Sequence, residues 1–323
     1  MKKVFLTGIT GLLGSNLIVR LLAEGYEVTA LVRDPTRYKG PQSEHLQLVK
    51  GSLQADNTPL LKDIDMVVHT AAETATHLRD YGPYHAINCV ATRQLFDAAI
   101  QAKVKRFIFV STANTIGYGS PDTPGTETLP MQYPFTNLDY ALSKKEAEAY
   151  LQMRSHLLDV VILHPTFLIG ALDSKPSSGR LILAGLDKKW IFYPPGGKNI
   201  VYVKDVVQAV LQSFTHGRTG ESYLVCGDNM SFKEFFRILC RLSGQKSRLI
   251  PVPRFLLRIV GFIGDTIRFF GINTSLSTIN MKALCTHPYY SNQRSREELN
   301  MQYHSTETAV TEAIGYFRER KKP

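Results

Sequence analysis

A short strand pattern at Lys3–Thr7 runs straight into Thr7-Gly8-Ile9-Thr10-Gly11-Leu12-Leu13-Gly14, and a helical pattern over Leu12–Glu24 begins inside that run. No other segment constrains the fold as strongly. Glycines three apart at a strand-to-helix junction let backbone N–H groups approach a pyrophosphate, and the helix N-terminus adds a partial positive charge. Such spacing on its own is weak and also occurs in purely structural turns, but at the first strand of an alternating chain it points to a nucleotide. Thr7, Gly8, Thr10, Gly11, Leu12, Leu13 and Gly14 are therefore candidate cofactor contacts.

The pattern that follows supports this. Strands read at Glu27–Arg33, His45–Val49, Met66–His69, Arg106–Ser111 and Asp159–His164, with helices near Tyr84–Lys103 and Tyr140–Ser155. Phe107–Val110 and Val160–Leu163 are apolar on both faces, as strands of a parallel sheet covered by helices on each side must be. The expected fold is α/β, a Rossmann-type doubly wound parallel sheet with a smaller, mostly helical C-terminal substrate region. Residues 1–165 form the nucleotide domain, residues 199–227 return to it, and residues 166–323 supply the substrate region. In that second part, helices read at Lys204–Phe214, Ser231–Ser243, Arg254–Phe270 and Glu307–Arg320, with a strand at Ser222–Val225.

The end of the second strand bears on which nucleotide is bound. An NAD site places a carboxylate there for the ribose 2′-hydroxyl, whereas this chain has Val32 followed by Arg33. Arg33 offers a planar fork to a 2′-phosphate, with Arg37 and Lys39 close behind, which favours NADP. Asp34 keeps NAD open if the strand runs one residue longer.

Tyr140 and Lys144 stand at i and i+4 on one helix face, after the fifth strand. A phenol needs a neighbouring cation to exchange protons near neutrality, and Lys144 is placed to supply it. Thr112, at the end of that strand, brings a hydroxyl to the same place. The three are candidate catalytic residues.

With these residues assembled, the chain resembles the extended short-chain dehydrogenase/reductase family. The resemblance takes in the glycine turn, His69-Thr70-Ala71-Ala72, Asn88, Thr112, the Tyr140/Lys144 pair, His164-Pro165-Thr166 and Tyr202-Val203-Lys204-Asp205-Val206. It implies a tyrosine acid/base, a lysine that lowers the tyrosine pKa and holds the nicotinamide ribose, and a threonine that orients the carbonyl. Thr70, Ala71, Ala72, Asn88, Tyr140, Lys144, His164, Pro165 and Thr166 become cofactor candidates on the same ground, with Ser52 and Leu53 near the adenine. Val32-Arg33-Asp34-Pro35-Thr36 resembles the dihydroflavonol-reductase-like branch, in which this arginine goes with NADP. A homodimer through the helices near Tyr84–Lys103 and Tyr140–Ser155 is likewise implied by resemblance only.

Three departures matter. Ala113-Asn114 replaces the Asp-Glu that follows the catalytic threonine in the family's nucleotide-sugar dehydratases, so the dehydratase acid and base are missing. Gly51-Ser52-Leu53 replaces Gly-Asp-Leu, and His164 stands where an arginine is common. The expected activity is NADP-dependent reduction of a carbonyl or oxidation of an alcohol on a small organic substrate. The alternatives are a sugar or nucleotide-sugar epimerase that retains its cofactor, and a non-catalytic NADPH-binding sensor or assembly factor.

Thr74, His77, Arg79, Asn114, Tyr118, His164, Phe167 and Tyr202 fall on segments that border the substrate cleft or serve as packing. The formal charge of +10 lies entirely in residues 161–323, which hold 22 basic against 12 acidic residues, whereas residues 1–160 hold 16 of each. That imbalance suits an anionic substrate or a solvated basic surface. Arg254–Phe270 is both apolar and basic, and reads as a helix that closes over the pocket or lies on an anionic membrane.

No apolar run reaches the roughly 20 residues of a membrane span. Gly8, Gly11 and Gly14 interrupt the segment behind Lys2 and Lys3 that otherwise resembles a secretory signal. The four cysteines show no metal-ligand spacing and no disulfide scaffold, so a cytoplasmic protein without metal or nucleic-acid partner is expected.

Overall fold

The computed structural model describes residues 2–320. Its centre is a parallel seven-stranded sheet built from β1 (Lys3–Thr7), β2 (Glu27–Val32), β3 (Leu46–Lys50), β4 (Met66–His69), β5 (Arg106–Val110), β6 (Asp159–Pro165) and, after three strands elsewhere, β10 (Ser222–Val225). Their spatial order is β10-β6-β5-β4-β1-β2-β3. The order reverses between β1 and β4, and in such folds the ligand cleft opens at that point, beyond the carboxyl ends of the strands.

Alternation along each strand fills two cores. Val4, Leu6, Met66, Val68, Ile108 and Val110 pack into one, with Leu13, Leu17 and Leu21 of α1 (Leu12–Ala23) behind them. Phe5, Val67, Phe107 and Phe109 point to the other face. There they meet Leu95, Phe96 and Ala99 of α3 (Ala91–Gln101) and Ala147 and Leu151 of α4 (Asp139–Met153). Strands buried on both faces carry unbroken apolar runs for this reason.

The helix expected near Tyr84–Lys103 is divided. It consists of α2 (Tyr81–Tyr84), a π-helical stretch His85–Val90 and α3. The widened turn coincides with Asn88, whose side chain is drawn out of the helix line to residue 73. π-helical turns are rare and frequently mark functional sites.

Beyond β6 the chain mixes helices with two small sheets. One joins β7 (Phe167–Ile169), β9 (Gly197–Tyr202) and β11 (Asp228–Ser231), and the other pairs β8 (Trp190–Tyr193) with β12 (Arg248–Pro251). The helices are α5 (Arg180–Gly185), α6 (Val203–Gln212), α7 (Phe232–Ser243), α8 (Arg254–Phe269), α9 (Thr278–Ala283), α10 (Gln293–Glu298) and α11 (Thr306–Glu319). α7 begins with a capping box, Ser231 with Glu234, and ends at Gly244 with φ +70°, the two punctuation marks that a stable short helix uses. No helix among the described residues is long and apolar enough to cross a membrane. Lys321 and Lys322 lie outside the described residues, while Arg318 pairs with Asp187.

Candidate active site

The turn after β1 is shaped by its glycines. Gly8 has φ +82°, and a Cβ there would stand 2.5 Å from Thr70 Oγ1 and 2.7 Å from the Ala71 amide nitrogen. A Cβ on Gly14 would stand 2.2 Å from the Gly8 carbonyl oxygen. Gly11 differs, because a Cβ there would meet only the Gly8 oxygen, at 3.5 Å. Gly11 is also the N-cap of α1 and offers no side-chain acceptor to the first-turn N–H groups. Open space above unclaimed donors fits a pyrophosphate, so the residues present suit the nucleotide that the sequence implies.

Around this cradle the hydroxyls serve the fold. Thr7 Oγ1 lies 2.7 Å from His69 Nδ1, and His69 Nε2 lies 2.9 Å from Thr92 Oγ1. Burial pushes the His69 imidazole down to about 3, so it is neutral and ties β4 to β1 and α3. Thr70 Oγ1 donates to the Thr7 carbonyl. Thr10 is half-buried and Ala71 and Ala72 are partly exposed beside the turn. Ser52 is exposed, with its hydroxyl turned to the Gln54 amide, and Leu53 packs against the second core.

At the end of β2, Arg33 is exposed and has no hydrogen bond or ion pair among the described residues. Asp34 is engaged. Its Oδ1 accepts from the Thr36 amide at 3.1 Å and the Thr36 hydroxyl at 2.6 Å, and its Oδ2 pairs with Arg37 at 3.2 Å. These contacts hold the carboxyl below its usual range, the Thr36 hydroxyl first among them. Lys39 is exposed nearby.

The catalytic candidates meet where β5 ends and α4 begins. Lys144 is buried, its Nζ donating to the Val110 carbonyl at 2.7 Å and resting 4.1 Å from the Phe109 ring centroid. Burial pushes it down to about 7, against the pull of Glu148. Tyr140 is pushed up to about 12 by burial, and the Thr112 hydroxyl works in the opposite direction. The resemblance implies a tyrosine made more acidic by its lysine. Here burial sets the direction of the shift, and the Thr112 hydroxyl is the group that moderates it. Thr112 Oγ1 also accepts from the Asn114 amide, capping the turn Ala113–Thr115.

Sequence reasoning missed the layer beneath. Glu148, buried one turn beyond Lys144, accepts from the hydroxyls of Ser111 and Thr115 and pairs with Lys145 at 3.2 Å. His164 sits in the same layer, its Nδ1 3.2 Å from the Thr112 carbonyl and 3.1 Å from Thr115 Oγ1. Its place is thus beneath Thr112, and burial lowers its pKa. The spacing Tyr140, Lys144, Glu148 would have shown the glutamate on the same helix face.

Asn88 has a similar supporting place. Its Oδ1 accepts from the Glu73 amide at 2.7 Å, and its Nδ2 donates to the Glu73 carbonyl and to Ser143 Oγ, both at 3.0 Å. Ser143 in turn donates to the Tyr140 carbonyl. Both donors of the amide and one acceptor site of its oxygen are spent on aligning the post-β4 loop with α4, so Asn88 positions the site. Asn88→Ala removes three hydrogen bonds, one buried and two partly buried, and is expected to cost about 2–4 kcal/mol, measured by urea unfolding. A loss below the resolution of that measurement would refute the clamp.

The substrate candidates divide. Thr74 and His77 lie exposed on the loop after β4, Asn114 is half-buried at the Thr112 turn, and Phe167 is half-buried with Lys198 Nζ 5.5 Å from its ring centroid. Tyr118 donates to the Tyr133 carbonyl. Tyr202 is buried against His304 and is turned to Lys204 and Glu312, which places it in packing. Pro165 is buried and Thr166 donates to Asn199 Oδ1. Lys198, pushed down to about 8 by burial, was not singled out from sequence. His85, Cys89 and Glu146 bring possible metal ligands within 4.8 Å of one another. Glu146 is already bonded to Tyr81, however, and burial raises the Cys89 thiol.

A Rossmann sheet, a glycine cradle at its switch point and a Tyr/Lys/Thr cluster define a nicotinamide-nucleotide enzyme. Residues 4–226 match the family described as NAD dependent epimerase/dehydratase family, and the chain belongs to it. It is 28% identical to "Sterol demethylase protein B" of Methylococcus capsulatus, over 97% of this chain and 98% of that one. It is 29% identical to "4-hydroxy-2-methyl-3-oxo-4-farnesyl-3,4-dihydroquinoline-1-oxide ketoreductase" of Stigmatella aurantiaca, over 82% and 80%. The crystal structure of gox2253 superposes with a TM-score of 0.84 at 26% identity, covering 100% of this chain and 99% of that one.

Proposed function

We propose that the protein is an NADP-dependent oxidoreductase that reduces a ketone on a largely apolar organic substrate, or oxidises the corresponding alcohol. One observation carries this reading: Tyr140, Thr112 and Lys144 meet at the end of β5 with alanine and asparagine, not carboxylates, at 113 and 114. A bound nicotinamide nucleotide supplies the hydride. Thr112 holds the substrate oxygen, and Tyr140 delivers or receives the proton. With its pKa raised to about 12, Tyr140 keeps its proton at neutral pH, which suits the donor role in reduction. Lys144, anchored on the Val110 carbonyl, is placed to hold the ribose next to it. The names of relatives that act on sterols or a farnesylated quinoline support the apolar substrate class.

NADP is favoured because Asp34 is tied to Thr36 and Arg37 while Arg33 is left with its donors facing solvent. Calorimetric titration of NADPH and NADH is expected to show tighter NADPH binding. Arg33→Ala is expected to weaken NADPH about ten- to a hundredfold, the range of a charge-assisted pair, with little change for NADH. Equal affinity for the two nucleotides in the wild type would remove the assignment.

Lys198 and the basic second half favour a second reading, an epimerase for a sugar carrying a diphosphate. The two separate in one assay. Steady consumption of NADPH with lipophilic ketones supports the reductase. Cofactor retained through gel filtration, with sugar interconversion and no net consumption of NADPH, supports the epimerase.

A further inference from the structure

We propose that α8 is a docking helix that lays its apolar face on an anionic lipid surface. Of its 16 residues only Gly261 and Gly264 are buried. Phe255, Ile259, Phe262, Thr266 and Phe269 recur at alternating steps of four and three, which places them on one face. That face is turned to solvent: Phe262 is 71% exposed, Phe269 84% and the adjoining Phe270 74%.

The glycines explain why the apolar side is outside. A Cβ on Gly264 would come within 1.4 Å of the Leu276 carbonyl oxygen, and one on Gly261 within 2.8 Å of Thr278 Cα. The helix is thus held through its smallest residues against α9 and the segment before it. Its phenylalanines lie mostly in solvent, Phe255 at 59% exposed. Single exposed apolar residues are ordinary, but a contiguous aromatic and aliphatic stripe marks an interaction surface.

Charge selects the occupant. Between residues 245 and 283 stand Lys246, Arg248, Arg254, Arg258, Arg268 and Lys282, against the single carboxylate of Asp265, and both oxygens of that carboxylate face the Thr278 amide at 3.2 Å. Two copies meeting through this face would bring their arginines together with few carboxylates to answer them. An anionic headgroup layer accepts the apolar stripe and the arginines at once. The strand paired with β12, which leads into α8, also exposes Trp190 and Phe192 directly after Lys188 and Lys189. Tryptophan beside lysine is the composition of a membrane interface.

The helix is also fastened to the site. Arg268 Nη2 donates to the Leu78 carbonyl at 2.9 Å, and Asn280 Nδ2 donates to the Thr76 carbonyl at 3.4 Å. The loop they hold is the one after β4 that carries Thr74 and His77. Docking of α8 therefore brings the border of the cleft to the lipid.

The test is flotation of the full-length protein with vesicles of phosphatidylcholine alone or with added phosphatidylglycerol. It needs no turnover, so it stands or falls separately from the catalytic reading. The protein is expected to float with the anionic vesicles and to be released as salt rises. Phe262→Ser with Phe269→Ser is expected to lower binding at least about tenfold, and Arg254→Ala or Arg258→Ala about fivefold each, with NADPH affinity unchanged as the check on folding. Absence of the wild type from the floating fraction would overturn the proposal. So would a phenylalanine variant that floats like wild type, or a wild-type dimer that this variant converts to monomer with no lipid binding in either form.

Discussion

Tyr140→Phe is expected to lower turnover about a hundred- to ten-thousandfold, the range of a positioned general acid, while NADPH affinity stays within a small factor of wild type. Only the phenolic oxygen is lost, and the ring's packing at the head of α4 is kept. The Ser143 bond to the residue 140 carbonyl is a backbone interaction and survives the change. Among the described residues no hydrogen bond or ion pair links residue 140 to the glycine turn or to Arg33, so the nucleotide is expected to bind as before. Steady-state rates with a ketone, alongside calorimetric titration of NADPH, separate the two effects. Wild-type turnover in the variant would move the proton donor elsewhere. A parallel loss of NADPH affinity would mean that residue 140 holds the cofactor more than it serves the chemistry.

The pH dependence follows from the same geometry. Because burial holds Tyr140 protonated through the neutral range, reduction should not fall at mildly alkaline pH through loss of its proton. The group that titrates there is Lys144, lowered to about 7. A declining limb in ribose-dependent binding near that value would be assigned to the lysine.

Much of the fold was legible because its signals are local and repeated. Phe107–Val110 and Val160–Leu163 are apolar at every position, and only a sheet covered on both faces accommodates them. The glycine turn was legible for a similar reason, since a Cβ at Gly8 or Gly14 has no room. The small strands β8 and β12 were not. Each is four residues long, and Trp190 and Phe192 on β8 face solvent, so no alternation of apolar and polar residues marks it. The break at His85–Val90 was also hidden, because it follows from a contact between Asn88 and a loop fifteen residues away.

The site was legible in its ends and hidden in its supports. Tyr140, Lys144 and Thr112 announce themselves by spacing and by the strand they follow. Ser111, Thr115, Glu148 and His164 come from four elements, and their sharing of one buried layer is a property of tertiary packing. His164 shows the difference well. Its sequence position at the end of β6 suggests a cofactor contact, but the side chain packs beneath the Thr112 turn. The orientation of α8 was undecidable from periodicity alone, since a stripe of phenylalanines serves equally to line a pocket or to face a bilayer. The close approach of Gly261 and Gly264 to Thr278 and Leu276 is what turns the phenylalanines to solvent.

Lys144→Met is expected to abolish activity and yet stabilise the fold. An ammonium that is 1% exposed has given up its hydration, and its compensation is one carbonyl, one aromatic face and the charge of the Glu148 carboxylate. Its folded pKa lies near 7 against an unfolded value of about 10.4. Below 7 both states are charged and the burial penalty is present in full. As pH rises from 7 towards 10.4 the folded lysine is neutral while the unfolded one still binds a proton, so the penalty shrinks and stability rises. A methionine of similar length carries no such penalty, and the gain at pH 7 is expected to be a few kcal/mol, reduced by about 1 kcal/mol for the Val110 carbonyl that loses its donor. Urea unfolding at pH 7 and at pH 9.5 measures both parts. The variant should lead the wild type clearly at the lower pH and by much less at the higher. A variant less stable than wild type at pH 7, with a gap independent of pH, would show that the lysine is fully compensated in the fold and is not held there for its chemistry at a cost in stability.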